Sequence, residues 1–177
     1  MNSQTGKLLV LGGCGINAVT ILLNLLLYVA PIKFLITLIS LASIAGLASI
    51  VAGFLILFLC DKSILDLVIA GGFGISLITS ALAFAINMNL LSIPFDLYFL
   101  NAIKTISLIV FLAWGFKLIK KGQIIAACAL FGALALTALN STVSAIFGAD
   151  ILVFLSIVIS IVEAGALAFA AFMDYQS

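Results

Sequence analysis

The chain has 177 residues, of which 66% are hydrophobic and 7% charged, with no histidine and a mean hydropathy of +1.49. A water-soluble domain carries about 25% charged and about 45–50% apolar residues, so this composition cannot cover a globule with a hydrated surface, and the expected solvent is lipid. Seven lysines against six acids give a net charge of +1 and no basic footprint, which argues against nucleic acid as a partner.

One bilayer crossing takes about 20 apolar residues. With charged and turn-forming residues read as punctuation, six apolar blocks follow one another: 8–30, 34–60, 64–86, 97–119, 123–147 and 151–173. Each is too long for a membrane β-strand of about 9–11 residues, whereas a helix satisfies its own backbone hydrogen bonds in hydrocarbon. The expected fold is an all-α polytopic membrane protein: one transmembrane domain over residues 1–177, a six-helix bundle with very short loops.

The first block opens with Leu11-Gly12-Gly13-Cys14, which imitates a lipoprotein cleavage site and a glycine-rich phosphate loop. Its apolar run is too short for the former, and for the latter the third fingerprint position is not glycine and neither a βαβ unit nor an acidic residue about 20 positions on follows, so close helix packing is the expectation. The second block carries Ala42, Gly46 and Gly53 at helix-packing spacings, and the third carries Gly71, Gly72 and Gly74. At the start of the third, Asp66 follows Lys62 at i, i+4 and reads as a surface pair. The fourth block is preceded by Pro94 and Phe95, and near its end Trp114 reads as an interfacial aromatic above Lys117, Lys120 and Lys121, which read as headgroup anchors. Cys14, Cys60 and Cys128 lack a CxxC spacing and have no histidine beside them, so they read as packing residues; no metal and no cofactor is expected.

Positive charges in short loops stay on the cytoplasmic side. Lys7, Lys62, Lys117, Lys120 and Lys121 fall on one side of the six-span scheme, and Lys33 with Lys104 on the other. Both termini are therefore expected in the cytoplasm, with the cell's inner or plasma membrane as the location.

Ionisable side chains at membrane depth are costly and by default mark function. Glu163 lies twelve residues beyond position 151, about 18 Å into the sixth helix. Ser156, Ser160 and Glu163 share one helix face, as do Asn101, Lys104 and Thr105 on the fourth helix. Thr137, Asn140, Ser141 and Ser144 repeat the pattern on the fifth, and Asn17 with Asn24 on the first extends it. The expected site is an outward-half polar cavity around Glu163 and Lys104, lined by Asn101, Asn140, Ser141 and Ser160, for a small solute or ion. The alternative is that these groups are structural hydrogen bonds and one ion pair.

No Ser/His/Asp set, paired-carboxylate motif or extramembrane domain supports an enzyme. Two classes remain: a transport-related carrier or substrate-capturing subunit, and a non-catalytic accessory or scaffold subunit that joins other membrane subunits or forms a homo-oligomer in the lipid bilayer. In architecture, six helices with both ends inside and polar residues in the outer half resemble the substrate-binding components of energy-coupling-factor vitamin transporters. Their first helix docks a partner through Ala-xxx-Ala, where this chain has Gly15, Ala18 and mainly leucine, so no family is assigned.

Overall fold

The computed structural model describes the backbone of residues 2–29, 33–88, 97–147 and 153–177, and the side chains of 2–24, 34–86, 88, 109–139 and 157–177. These residues form six helices: α1 (Ser3–Val29), α2 (Lys33–Asp61), α3 (Ile64–Asn87), α4 (Leu97–Lys120), α5 (Ile124–Phe147) and α6 (Val153–Gln176). Four of them, α1, α2, α3 and α6, are long and apolar enough within the described residues to cross a membrane.

Four of the six helices start and stop within two residues of the apolar blocks, but α1 begins five residues early and α6 ends three residues late. Asn2 permits the first extension: its carbonyl accepts from Thr5 N at 3.0 Å and its side chain from Gln4 N at 3.4 Å. Asp174 explains the second, because it turns inward and finds cations there. Hydropathy marks what lipid accepts, whereas a helix continues for as long as its ends find partners. The segment around Pro94 and Phe95 lies outside the described residues.

The two described turns use one device with different residues. After α4, Gly122 takes φ +76° while Gln123 N bonds to Leu118 O at 2.9 Å and Gly122 N to Ile119 O at 2.9 Å, a double-bonded helix stop that favours glycine. After α2, Lys62 stands in the corresponding left-handed position at φ 50°, with its N–H on Phe58 O at 2.8 Å.

Each helix packs against its neighbours in the chain, and α6 returns to α1, so the six close into a ring. The α1–α2 seam is the tightest. Gly6 faces Gly53 and Gly13 faces Gly46, seven residues apart on both helices, which is two turns of each antiparallel partner. A Cβ on Gly13 would lie 2.5 Å from the Gly46 carbonyl oxygen, a distance no side chain tolerates. The backbones touch because neither helix has a side chain there.

The ring is filled rather than hollow along its described core. Phe54, Phe73 and Trp114 meet at its centre, with Trp114 edge-on to Phe54 at 5.0 Å and to Phe73 at 6.2 Å. Trp114 is 0% exposed, which corrects its reading as an interfacial residue. It faces the same way as Val110 and Leu118, four residues before and after it, and this is the face α4 turns to the core. Outside, the bundle shows Phe34, Leu59, Ile64 and Ile125 at 68–75% exposure. Apolar helices with such outward faces are compatible with membrane embedding.

Candidate functional site

The polar groups of the core divide into two levels. The lower one lies at the end of the bundle where α3 begins and α4 and α6 finish. The αL turn at Lys62 starts α3 so that Asp66, in its first turn, points inward and is 0% exposed. On α4, Lys117 follows Trp114 by three residues and so shares its inward face. Lys117 Nζ lies 2.6 Å from Asp66 Oδ1, 3.2 Å from Asp174 Oδ2 on α6, and 5.2 Å from the centre of the Phe54 ring. One turn later Lys121 Nζ lies 2.5 Å from Asp174 Oδ1 and donates to Ser177 Oγ at 3.2 Å. Gln123 Nε2 adds a bond to the Met173 carbonyl at 2.5 Å.

Two carboxylates from different helices thus share one ammonium beneath the aromatic cluster. Without Lys117 they would be buried charges with no local cation for Asp66, a change that costs about 3–5 kcal/mol in comparable buried pairs. The Asp66 contact is close enough for a strong charge interaction, although its angle is not that of a hydrogen bond and Asp66 Oδ2 has no hydrogen-bond partner among the described residues. Attraction between charges needs no particular angle, so the short distance governs here.

This arrangement corrects two expectations. Asp66 does not pair with Lys62 on the surface, and Lys117 is a buried ion rather than a headgroup anchor; Lys120 remains exposed. A partner on another helix outcompetes the neighbour along the chain in the first case and the headgroup in the second. Cys14 is buried in the core, where it packs, and Cys60 and Cys128 lie on the outer surface of the bundle. Among the described residues, no group of three or more His, Cys, Asp or Glu side chains could hold a metal ion.

The upper level lies about three helical turns away. Eleven residues separate Glu163 from Asp174, about 16 Å along α6, and both share the stripe of the buried Ala166 and Ala170. Glu163 is half-buried and meets the Thr137 hydroxyl of α5. The same hydroxyl lies 2.9 Å from the Ala133 carbonyl, and with one proton it donates to only one of the two at a time. Ser160 is half-buried one turn from Glu163. Between α1 and α2, Ser43 on α2 donates to Asn17 Oδ1 at 3.2 Å, and within α1 Thr20 donates to the Asn17 carbonyl at 2.8 Å. Asn17 therefore serves the α1–α2 seam, and Asn24 is exposed.

Of the expected site residues, Glu163 and Ser160 are brought near each other on α6. The side chains of Lys104, Asn101, Asn140 and Ser141 lie outside the described residues. Sequence reasoning passed over Asp174 altogether. The signal that could have found it was topological: in an antiparallel bundle the start of α3 and the ends of α4 and α6 meet at one end, which brings Asp66, Lys117, Lys121 and Asp174 within reach of one another.

No protein-family model, no curated protein and no solved structure matches this chain.

Proposed function

We propose that the chain is a transport-related integral membrane protein without catalytic activity. It crosses the bilayer six times with both termini in the cytoplasm, and captures or carries a small solute or ion in an outer-half site around Glu163 and Lys104. The observation that carries this reading is the buried Lys117 pairing of Asp66 and Asp174. It ties α3, α4 and α6 together at the lysine-rich end while Glu163 stands three turns above on the same face of α6. Buried ion pairs nearly offset their own desolvation, so they hold one arrangement at small net cost and can be exchanged for another. That is the property required of a closed inner gate. The Phe54, Phe73 and Trp114 cluster fills the space above it.

The accessory-subunit reading has one observation of its own. Gly132 and Gly165 face outward into a groove of about 550 Å³ between α5 and α6, floored by Ala133 and Ala166, and a Cβ at either glycine would meet nothing within 4 Å.

Liposomes containing the purified chain separate the two. Under an imposed proton or sodium gradient, solute or ion uptake above that of empty liposomes is expected, and Glu163→Gln should abolish it while changing stability by less than about 1 kcal/mol. Uptake equal to that of empty liposomes, together with stoichiometric co-purification of another membrane chain, would overturn the carrier reading in favour of the accessory one.

A further inference from the structure

At the lysine-rich end, beside the buried ion pairs, the α2–α3 turn and the end of α4 enclose a cavity of about 480 Å³. Lys62, Lys117, Lys120 and Lys121 line it, against Asp61 and Asp66. Lys117 and Lys121 are engaged by the aspartates, whereas Lys62 and Lys120 have no ion-pair partner among the described residues. The cavity also receives the N-terminus of α3, a 24-residue helix whose N-cap residue, Ser63, makes no side-chain bond to its first turn. An N-terminus without a cap presents amide protons and the positive end of the helix dipole.

We infer that this cavity binds the phosphate group of an anionic phosphoester, with the unpaired ammonium groups of Lys62 and Lys120 and the uncapped start of α3 as its donors. Phosphate is the anion that several convergent lysines and a helix N-terminus recognise together. Asp66, held by Lys117, closes the inner wall of the cavity.

The turn itself supports the assignment. Lys62 holds the left-handed position that glycine holds in the α4–α5 turn, and a side chain there is unfavourable for folding. Backbone conformations of this kind are retained where they hold a group in position, and here the group is an ammonium at the cavity. Two sources supply such a phosphate. A lipid headgroup would leave its acyl chains along the exposed Leu59, Ile64 and Phe116, and a soluble phosphoester would not use them.

The purified full chain, stripped of lipid in an uncharged detergent, is titrated with short-chain phosphatidylglycerol, with inorganic phosphate, and with monooleoylglycerol as the uncharged control. Binding of the anionic probes over the control is expected, weakening with salt. Each lysine near an anionic surface contributes about fivefold in affinity, so Lys62→Gly with Lys120→Gln should weaken binding by about 25-fold. The glycine relieves the strained turn, so the ligand-free variant should melt no lower than the parent, and Lys7→Gln, outside the cavity, should bind as the parent does. Lipid binding without phosphate binding assigns the headgroup, and the reverse assigns a soluble phosphoester. Equal affinity in the double variant, an equal loss in Lys7→Gln, or no preference over the uncharged control would overturn the site. Because neither Lys62 nor Lys120 belongs to the ion pairs of the proposed gate, failure here leaves the uptake experiment undecided, and failure there leaves this one so.

Discussion

The α1–α2 seam and the α3–α4–α6 end hold helices together by opposite means. In the seam, two glycine pairs let the backbones touch, and Ser43 bonds to Asn17 across it. At the other end, contact is made by Lys117 and Lys121 reaching two aspartates. Close packing of this kind has a single geometry, because any sliding opens a void or drives a carbonyl into a neighbour. Ion pairs on long flexible side chains have several nearly equivalent geometries and can change partners. The difference teaches which parts of this bundle are built to stay fixed and which can rearrange.

The largest expected effect breaks the second region. Lys117→Met leaves Asp66 and Asp174 buried without their shared cation and should destabilise the protein by about 3–5 kcal/mol, read as a fall in the midpoint of denaturant unfolding in detergent. A triple change, Asp66→Leu, Lys117→Met and Asp174→Leu, sharpens the point. It should recover most of that loss, and if the ion pairs form a gate it should also abolish uptake in liposomes.

A smaller effect tests the seam. Gly13→Ala puts a methyl against the Gly46 carbonyl and should cost about 1–3 kcal/mol, whereas Gly12→Ala, with nothing within 4 Å, should be neutral or stabilise by up to about 1 kcal/mol. Measuring both in the same detergent separates lost contact from altered helix propensity. Equal effects would mean that the backbones are not held as closely as the seam geometry requires.

The smallest effect belongs to Glu163. Glutamine keeps an oxygen to accept from Thr137, so Glu163→Gln should change stability by less than about 1 kcal/mol, read in the same unfolding experiment. A loss as large as that of Lys117→Met would make Glu163 part of the fixed framework instead of the site.

Much of the fold was legible in the sequence because lipid compatibility and helix formation act on the same stretch of chain. The long uninterrupted apolar blocks admit only helices, and the charged or turn-forming residues between them mark the ends to within two residues in four helices of six. The exceptions are informative. Ser3 to Lys7 are too polar to join an apolar block, yet the backbone there is capped by Asn2 and remains helical. The candidate site was legible in part: Glu163 stood out because no other acid lies so far from both ends of its block. For Asp66 the i, i+4 spacing points to Lys62, whereas its partner Lys117 comes from α4, whose approach no local spacing encodes.

What the sequence determined by itself is the material of this protein: six helices, their approximate ends, and outward faces without the charge that water would require. Those properties are local, fixed by composition over a window of some twenty residues. Only the tertiary structure decided which glycines touch a backbone, Gly13 but not its neighbour Gly12, and which lysine is buried, Lys117 but not Lys120. The physical reason is that nearly every position is apolar, so no helix has a polar face strong enough to announce its inward side. The choice falls to the neighbouring helix, whose carbonyl or carboxylate happens to stand opposite.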